Sequence, residues 1–344
     1  MHFAVDEMVV GMKLATPTEG LISLSSESNP SLFAMAKVGL GSLGVVTELT
    51  LRCIPKHSLM EQLSVVDVKN LSVVDHYQRL KDYRHVRYMW LPFTSKVVVV
   101  VSNPIIPEAS MPVDSSQAAA SAAAATSPLC TLLRSKTASS DEPLDSLSFT
   151  QLRDRLLELD PLGLPHVREV NQAEAAFWEA SSGHRIDDSV NVLSFDCGGQ
   201  QWVLEVCLPI GELVHSSGRD LEFIGKLLAV IDESQIPAHC PIEQRWTARS
   251  TAAMSPAYSS NARDVFSWVG IIMYLPPHGD QQRRLITEKF REYARAIEPL
   301  VEEFGGKIHW YVCTAATAGH RFICAPITCM LSFGKGQTGA AAEE

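Results

Sequence analysis

The sequence predicts an α+β protein built on a large antiparallel sheet flanked by helices, and three observations carry that prediction. Residues 60–103 run strand–helix–strand–strand rather than in alternating βαβ units. Val97–Val101 are five consecutive valines, the mark of a strand buried on both faces. Residues 241–250, Pro-Ile-Glu-Gln-Arg-Trp-Thr-Ala-Arg-Ser, set charges between two apolar, aromatic, strand-like segments, Phe195–Trp202 and Phe266–Tyr274.

Taken in order, Met8–Leu14 and Gly20–Leu24 flank a Thr-Pro-Thr-Glu-Gly turn and read as a hairpin. A short helix follows from Ser28, with Ser28 or Asn29 as cap and Pro30 in its first turn, and ends at Gly39. Gly39-Leu-Gly-Ser-Leu-Gly44 matches the letters of a dinucleotide fingerprint, but that loop must follow a strand and open a helix. Here it follows a helix and opens a strand, Val45–Arg52, so that reading is rejected. Two readings remain: a connector needing positive φ, or a close backbone approach to a flat cofactor with main-chain N–H groups as donors.

Beyond it the patterns predict a strand at Glu61–Val68, a helix at Asn70–Tyr83, and strands at Arg84–Pro92 and Lys96–Ser102. Residues 104–148, with a run of Ser, Ala and Gln at Ser115–Ala125, are expected to be a mobile insertion too poor in apolar surface to offset its ordering entropy. Helices are predicted at Phe149–Leu159, Val167–Ser182, Asp220–Ser234 and Gln281–Phe304. Strands are predicted at Val190–Phe195, Gln201–Leu208, Phe266–Leu275 and Lys307–Trp310. Past Tyr311 no period holds.

Composition excludes several classes. A net charge of −10 with no basic stripe argues against nucleic-acid binding. Eight scattered cysteines without CxxC or Cys/His spacing read as reduced thiols rather than a disulfide framework or zinc site. No apolar run approaches the roughly 20 residues that span a bilayer, and Met1–Glu7 matches neither a signal nor a transit peptide.

The run 241–250 is the most chemically loaded. On a strand, alternation puts Glu243, Arg245 and Thr247 on one face and Gln244, Trp246 and Ala248 on the other. Such an i,i+2 pair is more often a solvated ion pair than a site. Its apolar flanks favour a substrate site, since charges in a buried sheet need partners or a ligand. Arg249 reads as a structural ion-pair partner, and Trp202, Trp246 and Trp268 as core. His76, His85, His184 and His309 lack ligand spacing and read as surface or satisfied residues.

Val5–Leu14, Gly39–Leu51, Phe195–Trp202, Pro241–Ser250 and Phe266–Pro276 closely resemble the L-galactono-1,4-lactone dehydrogenases. These are plant and algal aldonolactone oxidoreductases of the vanillyl-alcohol-oxidase superfamily. The likeness runs through residues 3–310 apart from the Ser/Ala insertion. It implies that residues 1–56 are the C-terminal part of a PCMH-type FAD-binding domain. Residues 57–310 are then a cap that forms the substrate pocket, interrupted by the insertion 104–148, and residues 311–344 are an atypical, disordered tail. It further implies that Gly39, Gly41, Gly44, Val45 and Val46 lie against FAD and that Glu243 and Arg245 are the catalytic pair. Cys197 falls on an oxidation-sensitive cysteine near the pocket; on its own it reads as a small buried apolar residue.

The implied reaction oxidises L-galactono-1,4-lactone to ascorbate. A hydride passes from C2 to the flavin, and electrons go on to cytochrome c at the mitochondrial inner membrane. Arg245 would stabilise developing negative charge, and Glu243 would hold the sugar hydroxyls. Two alternatives stay open: an oxidase of D-arabinono- or L-gulono-1,4-lactone, and a flavin-free cap acting on respiratory complex I assembly intermediates. Relative to that family the chain is expected to be truncated at both ends.

Overall fold

The computed structural model describes residues 4–105, 115–137, 144–194, 198–215 and 217–310, the side chains of 115–123 excepted. A 3-10 turn at Val5–Met8 leads into strand β1 (Val9–Thr16), which pairs with β2 (Gly20–Ser25) as the predicted hairpin and with β3 (Val45–Leu51) on its other edge. Helix α1 (Pro30–Ala36) lies between β2 and β3, with Pro30 in its first turn and Asn29 at its N-cap making no side-chain cap bond. Met12, Leu14, Leu24, Phe33 and Ala36 close a small core under this three-stranded sheet.

The rest is organised on an eight-stranded antiparallel sheet. Its strands are β4 (Ser58–Asp67), β5 (His85–Trp90), β6 (Lys96–Pro104), β7 (Gly183–Asp188), β8 (Gln201–Glu212), β9 (Ile242–Ala248), β10 (Asp264–Tyr274) and β11 (Lys307–Ile308). Their order is β11-β8-β10-β9-β5-β6-β4-β7. The predicted α+β class with a large antiparallel sheet holds, and the five valines of β6 are buried on both faces as expected.

One face of this sheet is covered by α2 (Val73–Asp82), α7 (Arg219–Glu233) and α8 (Asp280–Glu303). Helix α8 buries Ile286, Phe290, Tyr293, Ala294, Ile297, Leu300 and Val301, a stripe of helical period packed over β8 and β10. The opposite face is covered over part of its area by α3 (Ser115–Lys136), α4 (Phe149–Leu159) and α5 (Leu164–Ala180). Helix α4 starts at a reciprocal capping box, in which Gln151 N–H donates to Ser148 Oγ and Ser148 N–H to Gln151 Oε1.

Three expectations are corrected. Residues 104–148 are not wholly a mobile insertion. Leu129, Cys130 and Leu133 of α3, spaced for one helix face, are buried against Leu144, Leu152 and Leu156. The Ser/Ala composition of the first half masked this apolar stripe; residues 106–114 and 138–143 lie outside the described residues. The strand predicted at Val190–Phe195 is not found over its described part: Ser189–Leu193 is a short helix, α6, and the strand precedes it as β7, while Phe195 lies outside the described residues. β7 is an edge strand of sequence Gly-His-Arg-Ile-Asp-Asp, so no hydrophobic period marks it; Arg185 Nε holds it to Glu61 on β4 at 2.7 Å. Among the described residues Arg249 makes no ion pair, and it donates to the Ser259 carbonyl. The sequence reading of 311–344 falls outside the described residues.

Candidate active site

Strand β9 is pinned from its buried face. Ile242, Gln244 and Trp246 point into the main core, as alternation predicts. Gln244 Oε1 accepts from Trp90 Nε1 at 2.9 Å, and Gln244 Nε2 donates to Ser267 Oγ at 2.9 Å. Trp246 Nε1 donates to Asp220 Oδ2 at 2.8 Å, and His76 bridges that same oxygen and the Tyr88 hydroxyl at 2.8 and 3.0 Å. Burial pushes the Tyr88 phenol up to about 12, so it stays protonated. These bonds sit where an unpaired polar group is costly, so they fix the register of β9. His76 is thus a satisfied core histidine, and Trp246 is core, as read from the sequence.

Fixing that face aims the other. Glu243, Arg245 and Thr247 line a cavity of about 640 Å³ on the uncovered part of the large sheet. Glu205 of β8, Arg87 of β5 and Trp268 of β10 share its floor, and Asp6, Met8 and Leu40 of the three-stranded unit form the facing wall. His309 and Trp310 close one side.

The facing wall is tied to the floor by polar bonds just beyond β9. Glu7 Oε1 accepts from Lys37 Nζ at 2.8 Å, from Thr251 N at 2.7 Å and from Thr251 Oγ1 at 2.5 Å, and Ser250 Oγ donates to Asp6. Burial works to raise the Glu7 pKa. The bonds from Lys37 and Thr251 outweigh it, and the carboxyl ends below its ordinary value.

Within the cavity, Arg245 turns toward Glu205, whose Oε1 accepts from Arg245 Nε at 3.2 Å and Nη2 at 2.6 Å. Glu205 raises the Arg245 pKa, burial opposes it and Glu243 adds to the rise, so the guanidinium is cationic at every relevant pH. Surrounded by protein volume, its side chain still keeps 54% of its surface open to the cavity, while Glu205 keeps 13%. His309 donates its backbone N–H to the Glu205 carbonyl at 3.0 Å and sets its ring edge-on to Trp268. Burial lowers the His309 pKa, Glu205 opposes, and Arg245 lowers it further, which favours the neutral ring. Trp268 is largely buried and donates to Thr247 Oγ1 at 2.8 Å, so it belongs to both core and cavity.

The glycine loop borders this site rather than filling it. Leu40 reaches the cavity rim, while Val45 and Val46 present 68% and 43% of their surface to solvent beside it. Gly44 has φ +143°, and a Cβ there would stand 2.3 Å from the Ala15 carbonyl oxygen, so the positive-φ connector reading holds. Among the described residues the N–H groups of Leu40, Gly41 and Leu43 have no acceptor, and an open row of donors beside exposed valines fits the edge of a flat, polar-rimmed ring. Gly39, by contrast, donates back to Ala36 and closes α1. Cys197 lies outside the described residues.

Sequence reasoning brought Glu243, Arg245 and Thr247 together and missed Glu205, Arg87 and the His309 side of the cavity. The signal for Glu205 was present: a lone carboxylate inside the otherwise apolar run Trp202-Val-Leu-Glu-Val-Cys-Leu208.

Comparisons with known proteins bear on what such a cavity serves. The chain is 44% identical over 320 residues to the mitochondrial L-galactono-1,4-lactone dehydrogenase of Arabidopsis thaliana, a match covering 89% of this chain and 52% of that protein. It is also 44% identical over 311 residues to L-galactono-1,4-lactone dehydrogenase 1 of Oryza sativa subsp. japonica, covering 89% and 53%. The chain therefore spans about half the length of these relatives. In fold it is similar to the crystal structure of cholesterol oxidase from B. sterolicum, with a TM-score of 0.58 at 10% identity over 90% of this chain and 58% of that one. The D-arabinono-1,4-lactone oxidase family profile matches residues 49–317. That match takes in most of the chain, including the whole of the large sheet, and by it the protein belongs to the D-arabinono-1,4-lactone oxidase family.

Proposed function

We propose that this chain is the substrate-binding part of an FAD-dependent aldonolactone dehydrogenase that oxidises L-galactono-1,4-lactone to L-ascorbate. The observation that carries the reading is Arg245 and Glu243, side by side on a strand whose opposite face is locked, both opening on one cavity. Residues 1–56 would be the flavin side and 57–310 the cap. Gly39, Gly41, Gly44, Val45 and Val46 would hold FAD through the loop backbone. Bound FAD would supply the hydride acceptor that no side chain can provide.

The chain's own residues do the rest. Arg245 presents N–H donors and a permanent charge to the lactone oxygens, where negative charge grows as C2 is oxidised. Glu243 accepts hydrogen bonds from the sugar hydroxyls, fixes the face that C2 presents, and is placed to take the C2 hydroxyl proton. The apolar side chains of Met8, Leu40, Val100 and Trp268 line the same cavity around the polar pair. We take cytochrome c as the acceptor and the mitochondrial inner membrane as the setting, a reading whose compartment is supported by the mitochondrial names of the relatives; no described helix is long and apolar enough to cross a membrane.

The alternative reading is a flavin-free scaffold for complex I assembly intermediates. One experiment separates the two. The purified chain is mixed with FAD, desalted, and its visible spectrum recorded; L-galactono-, L-gulono- and D-arabinono-1,4-lactone are then added with cytochrome c or oxygen as acceptor. Retained flavin bleached most readily by the galactonolactone supports the dehydrogenase. Retained flavin that none of the lactones reduces would sink it, and a folded chain retaining no flavin favours the scaffold.

A further inference from the structure

We propose that Glu205 is a positioning residue that holds Arg245 away from Glu243, so that the cation and the carboxylate both stay available to one ligand. The inference rests on the dehydrogenase reading for what that ligand is, but not for the arrangement itself.

Two side chains of opposite charge, two residues apart on one strand face, would ordinarily close on each other. Here they do not. Among the described residues the Glu243 side chain makes no hydrogen bond or ion pair, and the side-chain bonds of Arg245 go to Glu205. The register explains how. Gly270 of β10 is opposite Glu205 on one side and opposite Glu243 on the other, so one row across three strands reads carboxylate, no side chain, carboxylate. The two acids stand two strand spacings apart, about 10 Å at the backbone. Arg245, one step along β9 and opposite Trp268, reaches across toward β8.

Gly270 keeps the space between the acids clear, since a Cβ built there meets no heavy atom within 4 Å. Glu205 is mostly buried and its backbone carbonyl is held by His309, so it is the anchored partner, while Arg245 is the more exposed one. The pairing takes two of the five guanidinium N–H groups and leaves three for a ligand. Without Glu205 the nearest anion to Arg245 on its own face is Glu243, and an internal ion pair would consume both groups.

The test uses the full chain with selectively 15N-labelled arginine. The wild type should show a solvent-protected Arg245 Nε–H resonance, assigned by its loss in Arg245→Lys, that is unchanged in Glu243→Gln. In Glu205→Gln, which keeps side-chain length and removes the charge, that resonance should move or broaden, and affinity for L-galactono-1,4-lactone measured by calorimetry should fall roughly tenfold, the scale of one lost charged hydrogen bond. Adding Glu243→Gln to Glu205→Gln should cost less than the two single losses summed, because the internal pair can no longer form. A resonance and an affinity both indifferent to Glu205→Gln would overturn the proposal. So would a resonance that responds to Glu243→Gln in the wild-type background, which remains readable if Glu205→Gln does not fold. Absence of lactone binding by the wild type counts against the dehydrogenase reading alone, and the resonance still decides the role of Glu205.

Discussion

Replacing His239 by glutamine should flatten the loss of stability that the protein suffers in mild acid. His239 sits three residues ahead of β9, fully buried, and joins two elements. Its Nδ1 accepts the Tyr274 N–H at 3.0 Å at the end of β10, and its Nε2 donates to the Pro161 carbonyl at 2.8 Å. One donor and one acceptor define a neutral ring, and protonation would destroy the acceptor. Burial lowers the pKa from 6.5 to about 4; the Pro161 carbonyl opposes, and Arg153 and His166 lower it further.

The sign follows from the direction of that shift. Above 6.5 the ring is neutral in both states and contributes no pH dependence. Below it the unfolded chain takes up a proton that the folded chain refuses until about pH 4, so stability is lost across that window as pH falls. At 1.36 kcal/mol per pKa unit the loss is about 2 kcal/mol by about pH 5 and roughly 3 kcal/mol at the lower end. Urea unfolding at about pH 7.5 and about pH 5 measures it. The wild type should lose about 2 kcal/mol more than His239→Gln between the two. Equal losses in the two proteins would refute the reasoning, whatever the variant's stability at neutral pH.

Two further outcomes test the parts of the fold that frame the site. Gly44→Ala puts a methyl 2.3 Å from the Ala15 carbonyl at φ +143°, so thermal unfolding should show a loss of at least about 2 kcal/mol, while Gly20→Ala, also at positive φ but facing no atom within 4 Å, should cost less. Leu129→Ala should cost about 2–5 kcal/mol in urea unfolding, because Leu129 is fully buried against α4; a loss under about 0.5 kcal/mol, the ordinary size for surface positions, would restore the view that the whole segment is a loose insertion.

Much of this was legible in the residues, for reasons that differ by element. The bounds of α4 could be read because Ser148 and Gln151 form a capping signal and Asp160-Pro161 stops the helix. β6 could be read because five valines fit little except a buried strand. The Glu243/Arg245 face could be read because β9 alternates strictly. The rest required partners distant in sequence. β7 is polar and exists through its pairing with β4 and the Arg185–Glu61 bond, which no local period encodes. The buried half of α3 was hidden by averaging its leucines with the alanines before them. Glu205 gains its meaning from a register that sets it, across Gly270, level with Glu243, and pairwise register between strands 38 residues apart cannot be read from either one alone.

The ion pair between Lys37 and Glu7, with the Lys37 side chain only 5% exposed, bonds to Thr251 and fastens the small sheet to the chain six residues past Arg245. The two bodies therefore share a seam at that edge. Relative movement of the two is restrained at that edge, which adjoins the strand bearing the charged pair.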